Sequence, residues 1–220
     1  MNNNINIKSF DGVNAQLLLD AELKRITESG KRPRLLLHAC CAPCSSYVLE
    51  YLSKFFEITL YFYNPNITPS EEYAYRAEEL ARLVAEMGLG GDVSLFVSGY
   101  NSDEFYNIAK GFEEALEGGA RCARCYRLRL EASARYVAER GFDYFTTTLS
   151  ISPYKNSRWL NEIGAELSET YGVRYLYSDF KKKNGYKRSC ELSEIHGLYR
   201  QDYCGCEFSR AQRDRKNNHL

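Results

Sequence analysis

Cysteines are the residues best suited to chemistry in this chain of 220 amino acids, which contains eight of them. Seven fall into three short motifs: Cys40, Cys41 and Cys44; Cys122 and Cys125; and Cys204 and Cys206. The first residues, Met1 to Asn6, lack the basic and apolar regions of a secretory signal, so we expect a cytoplasmic, reducing environment. In that compartment clustered cysteines indicate metal binding or redox catalysis rather than structural bridges.

Two of these motifs could together supply four thiolates to one metal centre. Cys122 and Cys125 are three residues apart at the start of a predicted helix, so their side chains share a face. Cys40 and Cys41 can bind the same metal only if the backbone turns there, and Pro43 favours such a turn. Four thiolates suit either zinc or an iron-sulfur cluster, and the spacing leaves both open. Buried, unliganded thiols are the simpler alternative.

Positive charge near these motifs favours the thiolate form. Arg121, Arg124 and Arg127 flank the Cys-x-x-Cys motif, and we expect them to lower the thiol pKa values and to offset an anionic cluster. Cys44 lies near the predicted start of a helix, where the dipole favours a thiolate. It is either a ligand of a second metal or a packing residue.

The Cys-Gly-Cys motif has a different geometry, since one flexible residue separates Cys204 from Cys206. A disulfide closed over so small a ring is strained, and strained disulfides tend to be redox-active. We interpret this pair as an electron relay, with a third pair of metal ligands as the alternative. Cys190 is isolated and is interpreted as an apolar filler, and His38, within a predicted strand, as a core histidine.

Short apolar strands alternate with amphipathic helices, which predicts a parallel, helix-covered sheet. Predicted strands cover residues 34–39, 58–63, 93–97, 143–148 and 173–177. Predicted helices cover residues 14–29, about 44–55, 69–87, 102–116, 122–140, 157–171 and 192–198, the third opening with a capping box from Thr68 to Glu71. Ligands bind at the carboxyl ends of such strands, where Cys40 and Cys41 lie, and where the loop with Lys155 offers an ammonium group.

The chain divides into three predicted parts: an N-terminal helical extension at 1–32, a sheet-forming, metal-binding domain at 33–180, and a basic segment at 181–220 that packs on the same domain. The net charge is zero, but the last part has ten basic against five acidic residues. Such a segment suits phosphate or is simply a solvated tail. No apolar run approaches the roughly 20 residues of a membrane span, so we expect a soluble protein with no membrane partner.

Six blocks in one order resemble the epoxyqueuosine reductase family QueH, the cobalamin-independent type. They are His38-Ala39-Cys40-Cys41-Ala42-Pro43-Cys44, Tyr63-Asn64-Pro65-Asn66-Ile67, Cys122 to Leu130, Thr147-Thr148-Leu149 with Ser152 to Asn156, Asp179 to Lys182, and Tyr199 to Cys206. The similarity runs from about Pro33 to Ser209. It implies a Rossmann-like fold of the nucleotide alpha-hydrolase type and reduction of epoxyqueuosine at the wobble position of transfer RNA, the last step of queuosine biosynthesis.

The resemblance also implies cofactors and residue roles. It assigns a [4Fe-4S] cluster to Cys40, Cys41, Cys122 and Cys125, and a redox-active disulfide to Cys204 and Cys206. It further implies an additional iron, for which Cys44 is the candidate ligand, and no cobalamin. The partners are transfer RNA carrying epoxyqueuosine and an unidentified electron donor. We expect phosphate contacts from the basic segment, at Lys181, Lys182, Lys183, Lys187 and Arg188.

The proton donor has three candidates, namely Lys155, a tyrosine or water. Two other functions compete with the reductase: a zinc-stabilised nucleic-acid-binding module without catalysis, and a dithiol oxidoreductase. A nucleotide-dependent transfer-RNA thiolase ranks below both. It needs a Gly/Ser-rich phosphate loop after the first strand, where this chain has Cys-Cys-Ala-Pro-Cys.

Overall fold

A computed structural model describes residues 12–217, and its centre is a parallel sheet with strand order β3-β2-β1-β4. The strands are β1 (Arg34–His38), β2 (Glu57–Phe62), β3 (Val93–Val97) and β4 (Tyr144–Thr147). The helices are α1 (Ala15–Ser29), α2 (Ala42–Leu52), α3 (Ser70–Glu86), α4 (Asp103–Ala109), α5 (Ala120–Arg140), α6 (Ser157–Tyr171), α7 (Gly185–Ile195) and α8 (Glu207–Asn217). This architecture confirms the predicted α/β class. Over residues 12–217, no helix has both the length and the apolarity needed to cross a membrane.

The central strand β1 explains why the sheet is covered on both faces. Leu35, Leu36 and Leu37 are fully buried although successive side chains point to opposite faces. A continuous apolar run of this kind is typical of a parallel strand with helices on each side. In the register, His38 lies opposite Tyr61 of β2 and Thr147 of β4. The carboxyl ends of three strands therefore lie level at one edge of the sheet.

Two predicted helices have the bounds that their capping residues indicate. The Asn14 side chain accepts a hydrogen bond from the Gln16 amide at 3.1 Å at the start of α1, and Gly30 ends it with φ of 65°. Asn156 caps α6 in the same way through the Trp159 amide, and Gly172 ends it with φ of 65°. A short side-chain acceptor before a helix and a left-handed glycine after it are favoured because they satisfy the free backbone groups.

The predicted capping box at the start of α3 is wrong. Pro69 has extended backbone angles, so that α3 begins at Ser70 and no side chain caps it. The Thr68 amide instead donates to the Gly205 carbonyl oxygen at 3.0 Å. Tertiary contact with the Cys-Gly-Cys segment thus replaces the local motif.

Four other predicted elements differ in extent. The helix expected at 102–116 is only α4, because the chain turns at Gly111 with φ of 78°. The strand expected at 173–177 is reduced to one parallel bridge, between Phe145 and Tyr175, whose rings pack edge to face. The helix expected at 192–198 begins earlier, as α7, since Gly185 lets the backbone approach the Tyr47 ring closely. The helix α2 also begins earlier than expected, directly after Cys41.

The basic C-terminal segment packs on the sheet-forming part of the chain through α7, which contacts α2. Arg188 of α7 forms an ion pair with Glu50 of α2 at 2.6 Å, and Lys183 pairs with Asp20 of α1 at 2.7 Å. The three-part division of the chain stays a prediction, and residues 1–11 and 218–220 lie outside the described range.

A glycine in α6 provides a test of this packing. The Cβ atom of Gly164→Ala would overlap the Tyr175 ring, which leans on β4 through Phe145. Alanine normally stabilises a helix relative to glycine, so destabilisation here would report the overlap. We expect a loss of about 1–3 kcal/mol in the free energy of unfolding, measured by urea denaturation. Gly91→Ala, where the added Cβ meets open space, should change it by less than about 0.5 kcal/mol; equal values would contradict the packing.

Candidate metal and redox centre

Three thiols converge where β1 passes into α2. The Sγ atoms of Cys40 and Cys41 are 3.7 Å apart, and those of Cys40, Cys41 and Cys44 all lie within 4.8 Å of one another. Tetrahedral ligation at a metal-sulfur distance of about 2.3 Å separates two sulfurs by roughly 3.8 Å. The first motif can therefore hold one metal ion by itself. The early start of α2 places Cys44 in its first turn and brings it to its two partners.

The three thiols share their protons unequally. Hydrogen bonds from the Cys41 and Cys44 thiols hold the pKa of Cys40 well below its usual value, and the charge of Arg129 acts in the same direction. The same hydrogen bonding raises the pKa of Cys41 to about 12 and that of Cys44 well above its usual value. Cys40 is therefore the most acidic of the three thiols. A metal that binds all three must displace the protons that remain on them.

The second motif contributes two thiols from one face of α5. Cys122 and Cys125 are both buried, and their interior position raises both pKa values, that of Cys125 to about 11. The Gly118 amide donates to the Cys122 sulfur at 3.3 Å, which partly offsets the burial. Buried thiols of this kind are inert unless a metal removes their protons.

The third motif brings the Sγ atoms of Cys204 and Cys206 to within 3.5 Å of each other. A hydrogen bond from the Cys206 thiol holds the pKa of Cys204 well below its usual value and raises that of Cys206. Gly205 has φ of 106°, and an added Cβ would lie 2.9 Å from Ile67 and 3.1 Å from Arg76. Only glycine fits there, so the tight turn that brings the two thiols together depends on it.

A buried ion pair lies beside this thiol pair. The Lys155 ammonium is 2.9 Å from a Glu117 carboxylate oxygen, and the lysine side chain is only 10% exposed. Ser209 donates to the other Glu117 oxygen at 2.7 Å and accepts from the Cys204 amide at 3.4 Å. Burial opposes the charge of Lys155, but Cys204 and Glu117 together raise its pKa above the ordinary value. Lys155 therefore stays charged, and the acidic Cys204 thiol is among the groups that favour its charged form. Glu117 was missed because nothing in its local sequence marks it.

The three arginines expected to serve the thiols have other partners, and that expectation is wrong. Arg121 donates to three backbone carbonyls, the nearest that of Ala115 at 2.6 Å. Arg124 stacks on the Phe112 ring, and Arg127 forms an ion pair with Glu166.

The cation that serves the thiols is Arg129, which is 4% exposed. It interacts electrostatically with Cys125, Cys40 and Cys204, one thiol from each motif. Its position four residues after Cys125 places both on one face of α5, and this spacing could have identified it from the sequence.

Asn64 connects Arg129 to the first motif. The Asn64 amide donates to the Ala39 carbonyl oxygen at 2.8 Å, and its Oδ1 accepts from Arg129 at 3.3 Å. Asn64 is fully buried at the end of β2. The residue preceding Cys40 and the helix carrying Cys125 are thus held by one hydrogen-bonded path.

His38 is a core residue, as the sequence indicated. Its Nε2 lies 3.1 Å from the Tyr63 carbonyl oxygen, which can only accept, so Nε2 carries the proton. Its Nδ1 then accepts from the Thr147 hydroxyl at 2.9 Å. Burial lowers the pKa of His38 to about 4 and keeps the ring neutral. The side chain joins the ends of β1, β2 and β4.

The five basic residues predicted to contact phosphate differ in whether an acidic side chain neutralises their charge. Three have acidic partners: Lys181 with Asp179, Lys183 with Asp20, and Arg188 with Glu50 and Glu191. Lys182 and Lys187 are exposed and have no ion pair with any residue in the range 12–217. These two lysines therefore offer the free positive charge of the group.

The chain is similar in sequence to the proteins of one family. The family model described as Epoxyqueuosine reductase QueH matches residues 35–212. A protein of that name from Streptococcus pyogenes serotype M1 is 42% identical over 206 residues, which cover 93% of this chain and 81% of the relative. One from Staphylococcus epidermidis is 41% identical over 204 residues, covering 89% and 86%. One from Thermotoga maritima is 35% identical over 189 residues, covering 83% and 93%.

The charge of Lys155 should be visible in the reactivity of Cys204. In reduced, metal-free protein, Lys155→Met removes a cation from the thiolate, so the pKa of Cys204 should rise by about one unit. The midpoint of its alkylation rate against pH, followed by iodoacetamide labelling and peptide mass spectrometry, should move upward accordingly. Lys182→Met, an exposed lysine, should leave the midpoint unchanged, and Cys190 serves as an internal reference. An unshifted Cys204 profile in Lys155→Met would show that Lys155 does not act on this thiol.

Proposed function

The chain belongs to the epoxyqueuosine reductase QueH family, and from this premise we propose that it reduces epoxyqueuosine in transfer RNA to queuosine at the carboxyl edge of its sheet. The observation that carries the proposal is that the buried guanidinium of Arg129 interacts electrostatically with one thiol from each cysteine motif. A merely structural zinc site would need four thiols and would leave the Cys204–Cys206 pair without a role.

The reaction needs two electrons and two protons. Both C–O bonds of the epoxide break, a carbon-carbon double bond forms, and the oxygen leaves as water. Oxidation of the Cys204 and Cys206 thiols to a disulfide releases the same two electrons and two protons, so the exchange balances. An external electron donor must then reduce the disulfide for the next turnover. The 3.5 Å separation of the two sulfurs supports this role.

Cys40, Cys41, Cys122 and Cys125 would hold a [4Fe-4S] cluster, with Cys44 as a ligand of an additional iron. When bound, such a cluster supplies one-electron transfer to complement the two-electron thiol pair. The soft thiol donors suit it, and the positive charge of Arg129 suits an anionic group. The short distances among Cys40, Cys41 and Cys44 support an ion bound next to the cluster.

Lys155 would deliver a proton to the departing oxygen. Its ammonium is fixed by Glu117 and is turned toward Cys204, where the electrons originate. The Tyr126 hydroxyl is a second candidate, because it is buried without a hydrogen-bond partner in the described part of the chain and interacts electrostatically with Lys155. Either donor would be shielded from solvent.

Transfer RNA would approach along the basic segment. Lys182 and Lys187 supply unpaired positive charge for phosphates, and Tyr154, which is 76% exposed and precedes Lys155, offers a ring for stacking. The anticodon loop is single-stranded, which lets the wobble base turn out toward Lys155 and Cys204.

The activity is tested with anaerobically reconstituted protein and transfer RNA containing epoxyqueuosine, followed by nucleoside mass spectrometry. We expect queuosine from the wild type and from Cys190→Ser, and a loss of at least about a hundredfold for Cys122→Ser and Cys204→Ser. Metal analysis of the same samples should find iron and sulfide in all of them, with a lower content only in Cys122→Ser.

Two results would contradict this proposal. A colourless wild type that contains zinc and no iron would favour the nucleic-acid-binding module. Full activity of the Cys122→Ser and Cys125→Ser double variant, with loss for Cys204→Ser, would favour a dithiol oxidoreductase without a cluster.

The path of the RNA can be tested through the salt dependence of binding. Each phosphate contact to a single strand contributes about 0.7 to the slope of log affinity against log salt, so Lys182→Ala with Lys187→Ala should reduce the slope by about 1.4. Lys183→Ala with Arg188→Ala removes the same formal charge, but these residues already have acidic partners. Its effect on the slope, measured by filter binding, should be smaller. A larger effect of Lys183→Ala with Arg188→Ala on the slope would contradict this path of the RNA.

A further inference from the structure

Four buried cations lie near the cysteine motifs, and two of them, Arg121 and Arg129, have no acidic partner within residues 12–217. Arg76 is 2% exposed and forms an ion pair with Glu72 at 2.7 Å, and Lys155 pairs with Glu117 at 2.9 Å. Arg129 is 4% exposed and has no carboxylate partner anywhere in residues 12–217. Arg121 donates to three backbone carbonyl oxygens, so Arg129 is the buried cation without a carboxylate partner that interacts with the thiols.

The hydrogen bonds of Arg129 do not remove this charge. Its Nε donates to the Cys125 carbonyl oxygen and its Nη1 to the Asn64 side-chain oxygen, both at 3.3 Å and both neutral acceptors. A buried charge without an opposite charge costs several kilocalories per mole. Arginine does not lose its proton in proteins, so it cannot escape this cost by becoming neutral. An anion bound next to Arg129 would offset this cost.

The groups around Arg129 show where the anion belongs. The thiols of Cys125, Cys40 and Cys204 are its leading electrostatic partners. Cys40 and Cys125 come from the two motifs that the cluster would bridge, and Asn64 ties the guanidinium to the residue before Cys40. Arg129 thus lies between the two halves of the proposed ligand set.

We propose that Arg129 is the counter-ion of the metal centre and raises its reduction potential. This inference rests on the proposed function, in that a thiolate-ligated cluster is bound. Four thiolates make a [4Fe-4S] cluster anionic in either oxidation state, and the added electron increases the negative charge. A fixed cation in a low-dielectric interior stabilises the reduced form more than the oxidised form.

The potential of the loaded protein tests this role with matched variants. Arg129→Met removes the charge, Arg129→Lys keeps it, and Arg127→Met removes an exposed arginine of the same helix that is paired with Glu166. In a titration followed by electron paramagnetic resonance, Arg129→Met should shift the potential to more negative values by at least 59 mV, a tenfold change in a one-electron equilibrium. Arg129→Lys and Arg127→Met should stay near the wild type. An unshifted Arg129→Met would overturn the proposal.

Thermal unfolding with and without metal separates this role from a structural one. Without metal, Arg129→Met should unfold at or above the wild-type temperature, since an unpaired buried charge has been replaced by an apolar group. With metal it should unfold below the wild type, or fail to retain the metal while still folding. A variant that loses equal stability in both states would show that Arg129 only holds Cys125 and Asn64 together, and would overturn the proposal.

The same comparison distinguishes failure of this inference from failure of the proposed function. A wild type that binds only zinc would contradict the reductase, whereas the stability difference between zinc-bound and metal-free Arg129→Met would still measure the counter-ion effect. An active, iron-loaded enzyme whose reduction potential is unchanged by Arg129→Met would contradict only the counter-ion role of Arg129.

Discussion

The register of β1 with its two neighbours is the constraint on which the site depends. It sets His38 level with Tyr61 and Thr147, and the His38 ring then joins the three strand ends through the Thr147 hydroxyl and the Tyr63 carbonyl. The chain leaving β1 must turn immediately, and α2 begins one residue after Cys41. A shift of one residue would turn these thiols to the opposite face of the sheet, away from α5.

Electrostatics is the second requirement, because the site buries many groups that must become anionic. Metal binding removes protons from thiols whose burial opposes ionisation, so positive charge has to be nearby. The protein supplies it in two forms. Lys155 and Arg76 are paired with carboxylates, which fix their positions and leave little net charge, whereas Arg129 has no carboxylate partner in the part of the chain that the structure describes. Lys155 and Arg76 thus provide fixed positions, and Arg129 provides positive charge that no carboxylate neutralises within residues 12–217.

How much the sequence reveals depends on whether a feature is local. Helix ends marked by Asn14, Gly30 and Asn156 follow from capping chemistry, and the buried leucines of β1 indicate a parallel sheet. The cysteine motifs are equally legible. The capping box at Thr68 fails because a tertiary hydrogen bond to Gly205 competes with it.

Features that join distant segments were not predictable in this way. Glu117 becomes important only when the fold brings Lys155 and Ser209 to it. Arg129 carries a local signal, its spacing from Cys125, but α5 has six arginines, and the choice among them depends on tertiary partners such as Phe112 and Glu166. Cys44 joins Cys40 because α2 starts early, a boundary that sequence patterns place only within a few residues.

Thiols from two separate segments would together hold one iron-sulfur cluster. The most direct measurement is a crystal structure of the anaerobically loaded protein, with anomalous difference maps recorded on both sides of the iron absorption edge. We expect iron density bounded by the sulfurs of Cys40, Cys41, Cys122 and Cys125, with the Arg129 guanidinium facing it. Metal bound to Cys40, Cys41 and Cys44 alone, with Cys122 and Cys125 unliganded, would contradict it.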